Sequence, residues 1–449
     1  MRKSFTLFFL FIVLVSACRK ADDPQPDQPP VNRPPATFSV SAKQAAVDAD
    51  VILTWTKAKD PDGDPVTYAV VWKDTLAKNL TDTTYTLKNV GYTAALSGTV
   101  VATDSKKATT TAVFSFTTGA YPYSAIPDAN FEKALIGLGI DDVQDGKVLT
   151  ANAQKVTQLN LSSKGIKSLQ GIEVFSNLTI LGLPANSLTT LDISKNTALT
   201  VLDCSFNQLT ALDVSKNTLL VELNCSSDHL TSLDLSNNSK LTKLSCGTDA
   251  IVSPGINLTS LDLSKNPALT YLSFGGSRVG SVDVSKNTAL TYLDCSSLSS
   301  LNVSNNTALT YLYCSGLSSL DVSNNTALTY LSCGYGSLAT LDVSKNVALE
   351  RLECSRTNLA ALDVSKNPKL TRLYCAGNKL ATLNVTNATA LTFLSCYENQ
   401  LTALDLRSNS KLAEMFCGKN NIRTICVSSL SVVTKDWSKD ASANYQVCQ

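Results

Sequence analysis

Histidine is almost missing from this chain: its 449 residues include one, His229, alongside two methionines and three tryptophans. A single imidazole excludes most acid–base, nucleophile-activating and metal-binding chemistry built on that side chain. An excess of either charge is missing too. The 38 basic and 37 acidic side chains leave a formal net charge of +1 with no basic stripe, so the footprint of a nucleic-acid binder is absent and no such partner is expected. No run after residue 20 has the ~20 apolar residues needed to span a bilayer. No nucleophile–base pair, phosphate loop or acid pair stands apart from the general pattern. The expectation is a protein with no catalytic residues, no cofactor and no metal.

What is present begins with a targeting signal. Arg2 and Lys3 precede the apolar run Phe5 to Val15, which has the length of a signal-peptide core. The run ends in Val15-Ser16-Ala17-Cys18. These residues resemble a bacterial lipobox, which implies cleavage of residues 1–17 and lipidation of Cys18. An ordinary signal peptide ahead of a cysteine is the alternative. The following Cys18-Arg19-Lys20-Ala21-Asp22-Asp23 resembles the export tag of Bacteroidetes surface lipoproteins, which implies an outer-membrane lipoprotein facing the cell exterior. Residues 18–36, with six prolines between Asp22 and Pro35, are expected to form an extended tether.

Residues 37–118 read as a small β-sandwich. Short runs such as Val51-Ile52-Leu53-Thr54-Trp55, Thr67 to Trp72, Ser97 to Ala102 and Ala112 to Phe116 are separated by turn residues. Leu53-Thr54-Trp55, Tyr68-x-Val70 and Val100 to Asp104 together resemble a fibronectin type III-like domain. Asp60-Pro61-Asp62-Gly63-Asp64 could supply calcium ligands, but these are also the residues a turn demands, and a turn is expected. Asp141 to Gly146 fails as a calcium loop, because Val143 and Asn152 fall at ligand positions.

From Leu178 onward one phrase recurs: N-x-x-L-T-x-L-x-C, a variable piece, then L-D-V-S-K-N. Cys204, Cys225 and Cys246 are 21 residues apart; Phe274 replaces the cysteine after a gap of 28, and Cys295 follows 21 later. Cys314 and Cys333 come at steps of 19, and Cys354, Cys375, Cys396 and Cys417 return to 21. Leu199-x-x-Leu202-x-Cys204-x-x-Asn207-x-Leu209 fits the leucine-rich-repeat template, and the sequence resembles internalin-like repeat proteins. The expected fold class is mainly β: a leucine-rich-repeat solenoid over 156–425, about twelve turns of 19–21 residues with one of 28, preceded by the small sandwich. Each L-x-C is expected to be a short strand with Leu and Cys inward, and the return face extended or 3₁₀.

Such a stack needs closed ends. Residues 119–155 are read as linker and N-terminal cap, with Asp128 capping a helix that places Phe131, Ala134, Leu135 and Leu138 on one face. Residues 426–449 resemble the closing cap of related secreted repeat proteins, which implies a Cys426–Cys448 disulfide. The ladder cysteines are read as small buried hydrophobes. The Asp of each L-D-V-S unit, such as Asp213 or Asp342, and the following Asn217 or Asn346 are read as satisfying turn backbone.

Function is sought on the other side of the strands, the expected concave face. Before the inward leucines of seven successive turns stand Tyr271, Tyr292, Tyr311, Tyr330, Arg351, Arg372 and Phe393, and between the inward residue and the cysteine of later turns stand Tyr313, Tyr374 and Phe416. Tyrosine and arginine are enriched at binding hot spots, whereas a tyrosine ladder can also serve only to stabilise strands. The leading expectation is a surface binding and adhesion protein that recognises a protein or glycan here, monomeric and held to the membrane by its lipid. A ligand-free spacer and an accessory subunit of a polysaccharide-degrading system are the alternatives. The inserted Thr248 to Asn257 segment is read either as a functional loop or as a duplication scar.

Overall fold

The computed structural model describes residues 29–45, 49–248, 257–296 and 298–449. The signal segment, Cys18 with most of its tether, and residues 249–256 of the insertion lie outside the described residues. Two compact units follow one another, Met1–Tyr121 and Pro122–Gln449.

The first unit holds seven strands: β1 Val40–Gln44, β2 Val51–Trp55, β3 Val66–Trp72, β4 Asp74–Leu80, β5 Thr84–Leu87, β6 Ala95–Asp104 and β7 Thr109–Thr117. Alternation of apolar and polar residues buries one side of strands such as β2, where Val51, Leu53 and Trp55 are inward, while β4 buries none of its residues. Order β1-β2-β5 makes one antiparallel sheet and β4-β3-β6-β7 the other. Leu53 and Trp55 from the first share a core with Tyr68, Val70, Val100 and Phe114 from the second. Gly98 is required, because a Cβ there would lie 2.5 Å from both Val71 O and the Phe114 ring. The aspartate loop is a turn: Asp60 Oδ1 accepts from the amides of Asp62 at 2.9 Å and Asp64 at 3.1 Å. The outer carboxylates are held by cations, Arg33 on Asp62 at 2.7 Å and Lys106 on Asp64 at 3.1 Å.

The second unit opens with a hairpin, Tyr123–Ala125 against Lys147–Leu149, around the helix Ala129–Gly137. Asp128 caps that helix through Oδ1, which accepts from Asn130 and Phe131, and its Oδ2 accepts from Lys167 and Ser168 of the first solenoid turn. One carboxylate therefore ties cap to stack. Glu132 is buried, and its Oε1 accepts from the amides of Asp145, Gly146 and Lys147. The Asp141–Gly146 loop thus wraps a carboxylate. Phe131, Ala134 and Leu135 face the core as expected, but Leu138 does not: the helix ends at Gly137, and Leu138, at its C-cap, is 52% exposed.

Fourteen three- or two-residue strands then form one parallel sheet. Twelve are the expected L-x-C strands; the other two are Gln158–Asn160 before them and Trp437–Ser438 after them. Every register places ladder leucine opposite ladder leucine, from Leu159 through Leu394 to Met415. The solenoid thus runs on into the 426–449 tail, whose Trp437 takes the place of the next leucine. Cys426 lies in the outer strand Thr424–Val427 and Cys448 just after Asn444–Val447; the two are joined by a disulfide with Cα atoms 5.4 Å apart.

The return face is built from turns for most of its length. It becomes extended toward the C-terminus, where Ala361–Asp363 pairs with Thr382–Asn384, and Thr424–Val427 lies between Ala403–Asp405 and Asn444–Val447. Each repeat aspartate accepts from the amide two residues on, as Asp213 Oδ1 does from Ser215 at 2.8 Å and Asp405 Oδ1 from Arg407 at 3.1 Å. Each repeat asparagine is buried and reaches back one turn: Asn217 Nδ2 donates to Ile193 O at 3.1 Å and Asn196 O at 2.9 Å. This amide ladder runs from Asn196 to Asn409 and is broken once, at Ala388. A third column precedes the strands, in which Thr200 Oγ1 donates to Thr179 O at 3.1 Å and Thr392 Oγ1 to Thr371 O at 3.0 Å.

Candidate binding face

Parallel, in-register pairing puts Tyr271, Tyr292, Tyr311 and Tyr330 directly side by side. Strands at about 4.8 Å spacing leave room for rings lying nearly parallel. Successive ring centroids are 4.2, 4.3 and 4.3 Å apart, with interplanar angles of 11°, 8° and 3°. Cations close both ends: Lys243 Nζ lies 5.5 Å from the Tyr271 ring, and the Arg351 guanidinium 5.5 Å from the Tyr330 ring. Each ring face in the column therefore meets another ring or a cation. Only edges and hydroxyls are left for solvent. Burial among the neighbouring rings pushes the Tyr292 and Tyr330 hydroxyls up, and adjacent acidic groups add to it. Tyr330 also donates to Glu353 Oε2 at 3.1 Å.

Beyond the stack the pattern changes. Arg351 is shared between the Tyr330 ring and the Tyr374 ring, the latter 5.1 Å away, and its Nε donates to Glu353 Oε1 at 2.6 Å. Tyr374 and Phe393 are 4.6 Å apart and tilted by 31°; Phe393 and Phe416 are 5.8 Å apart and tilted by 45°. Tilted rings leave faces open. Phe416 is 39% exposed. Arg372 lies 6.0 Å from the Phe393 ring and reaches the Tyr374 hydroxyl at 3.4 Å, but has no carboxylate partner among the described residues. Tyr313 stands one column over, half-buried, its hydroxyl raised by burial and by Asp294 and Glu353. All ten aromatic and cationic residues singled out from the sequence share this side of the ladder. They separate into a closed stack (Tyr271, Tyr292, Tyr311, Tyr330), the bridging Arg351, the neighbouring Tyr313, and an open cluster of Arg372, Tyr374, Phe393 and Phe416.

A further column went unread in the sequence. Two residues after the ladder cysteine the backbone is left-handed, at Phe206 (φ 54°), Tyr335 (56°), Arg356 (57°) and Lys419 (52°). Glycine holds the same place at Gly276, Gly316 and Gly377. Large side chains there carry a strain of about 1 kcal/mol each. Tyr335 is 70% exposed, with the Arg356 guanidinium 5.8 Å from its ring, and Lys419 lies 5.1 Å from the Tyr397 ring. Recurrent glycine in that frame was the available signal.

The ten ladder cysteines are free and buried. Burial raises their thiols, those of Cys246 and Cys333 to about 12, which makes them poor nucleophiles and poor ligands.

These features define a leucine-rich-repeat solenoid with a cysteine column in its core. The functional domain of InlJ from Listeria monocytogenes, described as including a cysteine ladder, is similar with a TM-score of 0.60 and 29% identity over 71% of this chain and 80% of that one. The internalin inlF from Listeria monocytogenes is similar with a TM-score of 0.53 and 21% identity over 72% of this chain and 95% of that one. The structural neighbours are thus internalin-type repeat proteins. No family model matches the sequence, and no match is found among curated proteins.

Proposed function

We propose that this is a lipid-anchored surface protein that captures a protein partner on the strand face of its solenoid, centred on Arg372, Tyr374, Phe393 and Phe416. The observation that carries the reading is the contrast between the closed tyrosine stack and the open cluster beside it. The stack offers a ligand only edges; on the tilted rings beside it an apolar side chain can pack while a neighbouring acidic group meets Arg372, a pairing that a protein surface supplies and a neutral sugar does not. The internalin-type fold, a common scaffold for protein binding, supports the same reading.

The lipobox at Cys18 supports attachment to the outer membrane with the solenoid facing outward, and the tether of residues 18–36 would hold it clear of the lipid. The strand order β1-β2-β5 and β4-β3-β6-β7 supports a fibronectin type III-like spacer between tether and solenoid. No catalytic role is proposed, since the recurring aspartates are engaged by turn amides.

Protein and glycan arrays probed with the full chain test this. Saturable binding to a protein, lost in Arg372→Glu and Phe416→Ser but kept in Tyr311→Ala, is the expected result. Hits confined to glycans overturn the choice of partner. No saturable hit of either kind favours a ligand-free spacer, for which the self-contained tyrosine stack already speaks.

A further inference from the structure

The opposite end of the ladder carries a pocket of ≈ 760 Å³ between the helical cap and the first strands. Its wall is mixed: an apolar patch of Leu138, Ile140, Val156 and Ile180 stands beside the polar Gln158, Asn160 and Ser162. The exposure of Leu138, anomalous for a capping helix, is exposure into this space. Gly182 opens it. In the column after the ladder leucine every other described strand carries a side chain, from Asn160 and Asp203 to Phe416 and Ser438, and only Gly182 carries none. The glycine is not needed for the backbone, because it lies in the strand Ile180–Gly182 and a Cβ there would meet nothing closer than Asn160 Oδ1 at 3.6 Å.

One charge lines the pocket, Asp203, and no lysine or arginine does. Its Oδ1 accepts from the Ser205 amide at 3.0 Å and from the Ser205 hydroxyl at 2.6 Å, while Oδ2 has no partner among the described residues. A carboxylate oxygen beside an apolar patch is complementary to an amphipathic cation. The volume falls in the ~300–1,000 Å³ range of ligand sites, too large for one side chain.

We propose that this pocket binds a short peptide segment in which an aliphatic side chain stands next to an arginine or lysine, the aliphatic group against Ile140, Val156 and Ile180 and the cation on Asp203. The site is separate from the Arg372 cluster and does not depend on it.

Ligand-observed NMR titration of the full chain with Ac-Leu-Arg-NH₂, Ac-Leu-Gln-NH₂ and Ac-Gly-Arg-NH₂ tests this. Ac-Leu-Arg-NH₂ should bind saturably, with the other two at least about tenfold weaker, and its affinity should fall with salt. Gly182→Phe should abolish binding by filling the hollow. Asp203→Asn should erase the preference for arginine over glutamine; the change is local, because Asn224 takes the same place one strand on and accepts the corresponding amide, that of Ser226. Arg372→Ala should change nothing. The proposal is overturned if the wild-type chain does not bind Ac-Leu-Arg-NH₂ saturably, binds Ac-Leu-Gln-NH₂ equally well, or keeps its affinity in folded Gly182→Phe. Should Gly182→Phe fail to fold, an unaltered arginine preference in Asp203→Asn overturns it.

Discussion

Replacing Asp228 with asparagine should stabilise the protein above neutral pH and do progressively less as the solution is acidified. Asp228 sits where Asn207 sits one turn earlier. Asn207 Nδ2 donates to Leu183 O at 3.1 Å and Cys204 O at 2.8 Å, and its Oδ1 accepts from the Leu188 amide. The Asp228 carboxyl keeps the acceptor half of that arrangement, taking the Leu209 amide at 3.2 Å, but Oδ2 is buried without a partner. By register its donor targets would be Cys204 O and Cys225 O, which a carboxylate cannot serve. Burial, with a smaller contribution from the Asp203 charge, pushes its pKa from 3.8 up to about 7. A shift of about three units corresponds to roughly 4 kcal/mol. The sign follows from proton binding. Between about pH 4 and pH 7 the folded state holds a proton that the unfolded chain has released, so stability falls across that window as pH rises and levels off above it. Asparagine restores both donors and does not titrate. Urea denaturation followed by circular dichroism at pH 4.5, 6 and 8 should show Asp228→Asn ahead of wild type by roughly 2–4 kcal/mol at pH 8, with most of the gap closed at pH 4.5. Other titrating groups cancel in the difference. A gap independent of pH, or a less stable variant at pH 8, refutes the reasoning.

Tyr311→Ala removes two ring contacts from the middle of the stack; denaturant midpoints should reveal a loss of about 1–3 kcal/mol, with partner capture unchanged. Ellman's reagent should find the ten ladder thiols unreactive in the native protein and fully reactive in guanidinium without reductant, since each is buried. Asp128→Ala strips acceptors from four amides and unties the cap from the stack, at a cost of about 2–4 kcal/mol in denaturant titrations. Those amides hold the Asp128 carboxyl below its usual range against the opposing effect of burial. Its contribution is therefore present above about pH 4 and lost as pH falls further, so Asp128→Ala and wild type should converge in acid.

The period of the repeat was legible because each turn buries leucine and cysteine at fixed places, and a parallel ladder has one register that keeps them inside. The two terminal strands were not. Gln158-Leu159-Asn160 follows Val156-Thr157 rather than Leu-Thr and leads to Leu161 rather than a cysteine, and Trp437-Ser438 shares no phrase with the repeat, because closing turns face different neighbours. Leu138 was assigned to the buried helix face by spacing alone, which cannot register that the helix stops one residue earlier. The strand-face residues could be named by alternation, but not sorted. Whether a tyrosine offers its face depends on ring separations of 4.2–4.3 Å and on the cations at either end, and identical repeats read the same in both cases. Asp203 and Gly182 carry no signal of their own in the repeat pattern, and only the packing of the cap beside them gives them a shared hollow.

Ala388 gives the solenoid a seam. Asn409 still donates across the next boundary, to Val385 O and Ala388 O, but no side-chain amide at position 388 reaches back to Val364 O and Asn367 O. Two hydrogen bonds present at the neighbouring boundaries are absent there, about 1 kcal/mol apiece. In a structure whose turns touch only their neighbours, a pull along the stack loads every boundary in series, and the weakest gives first. If the chain is held at its N-terminal end and its partner grips the Phe393 and Phe416 side of the proposed cluster, the pull crosses the seam. The turns beyond it, where the disulfide closes the stack, would part as a block.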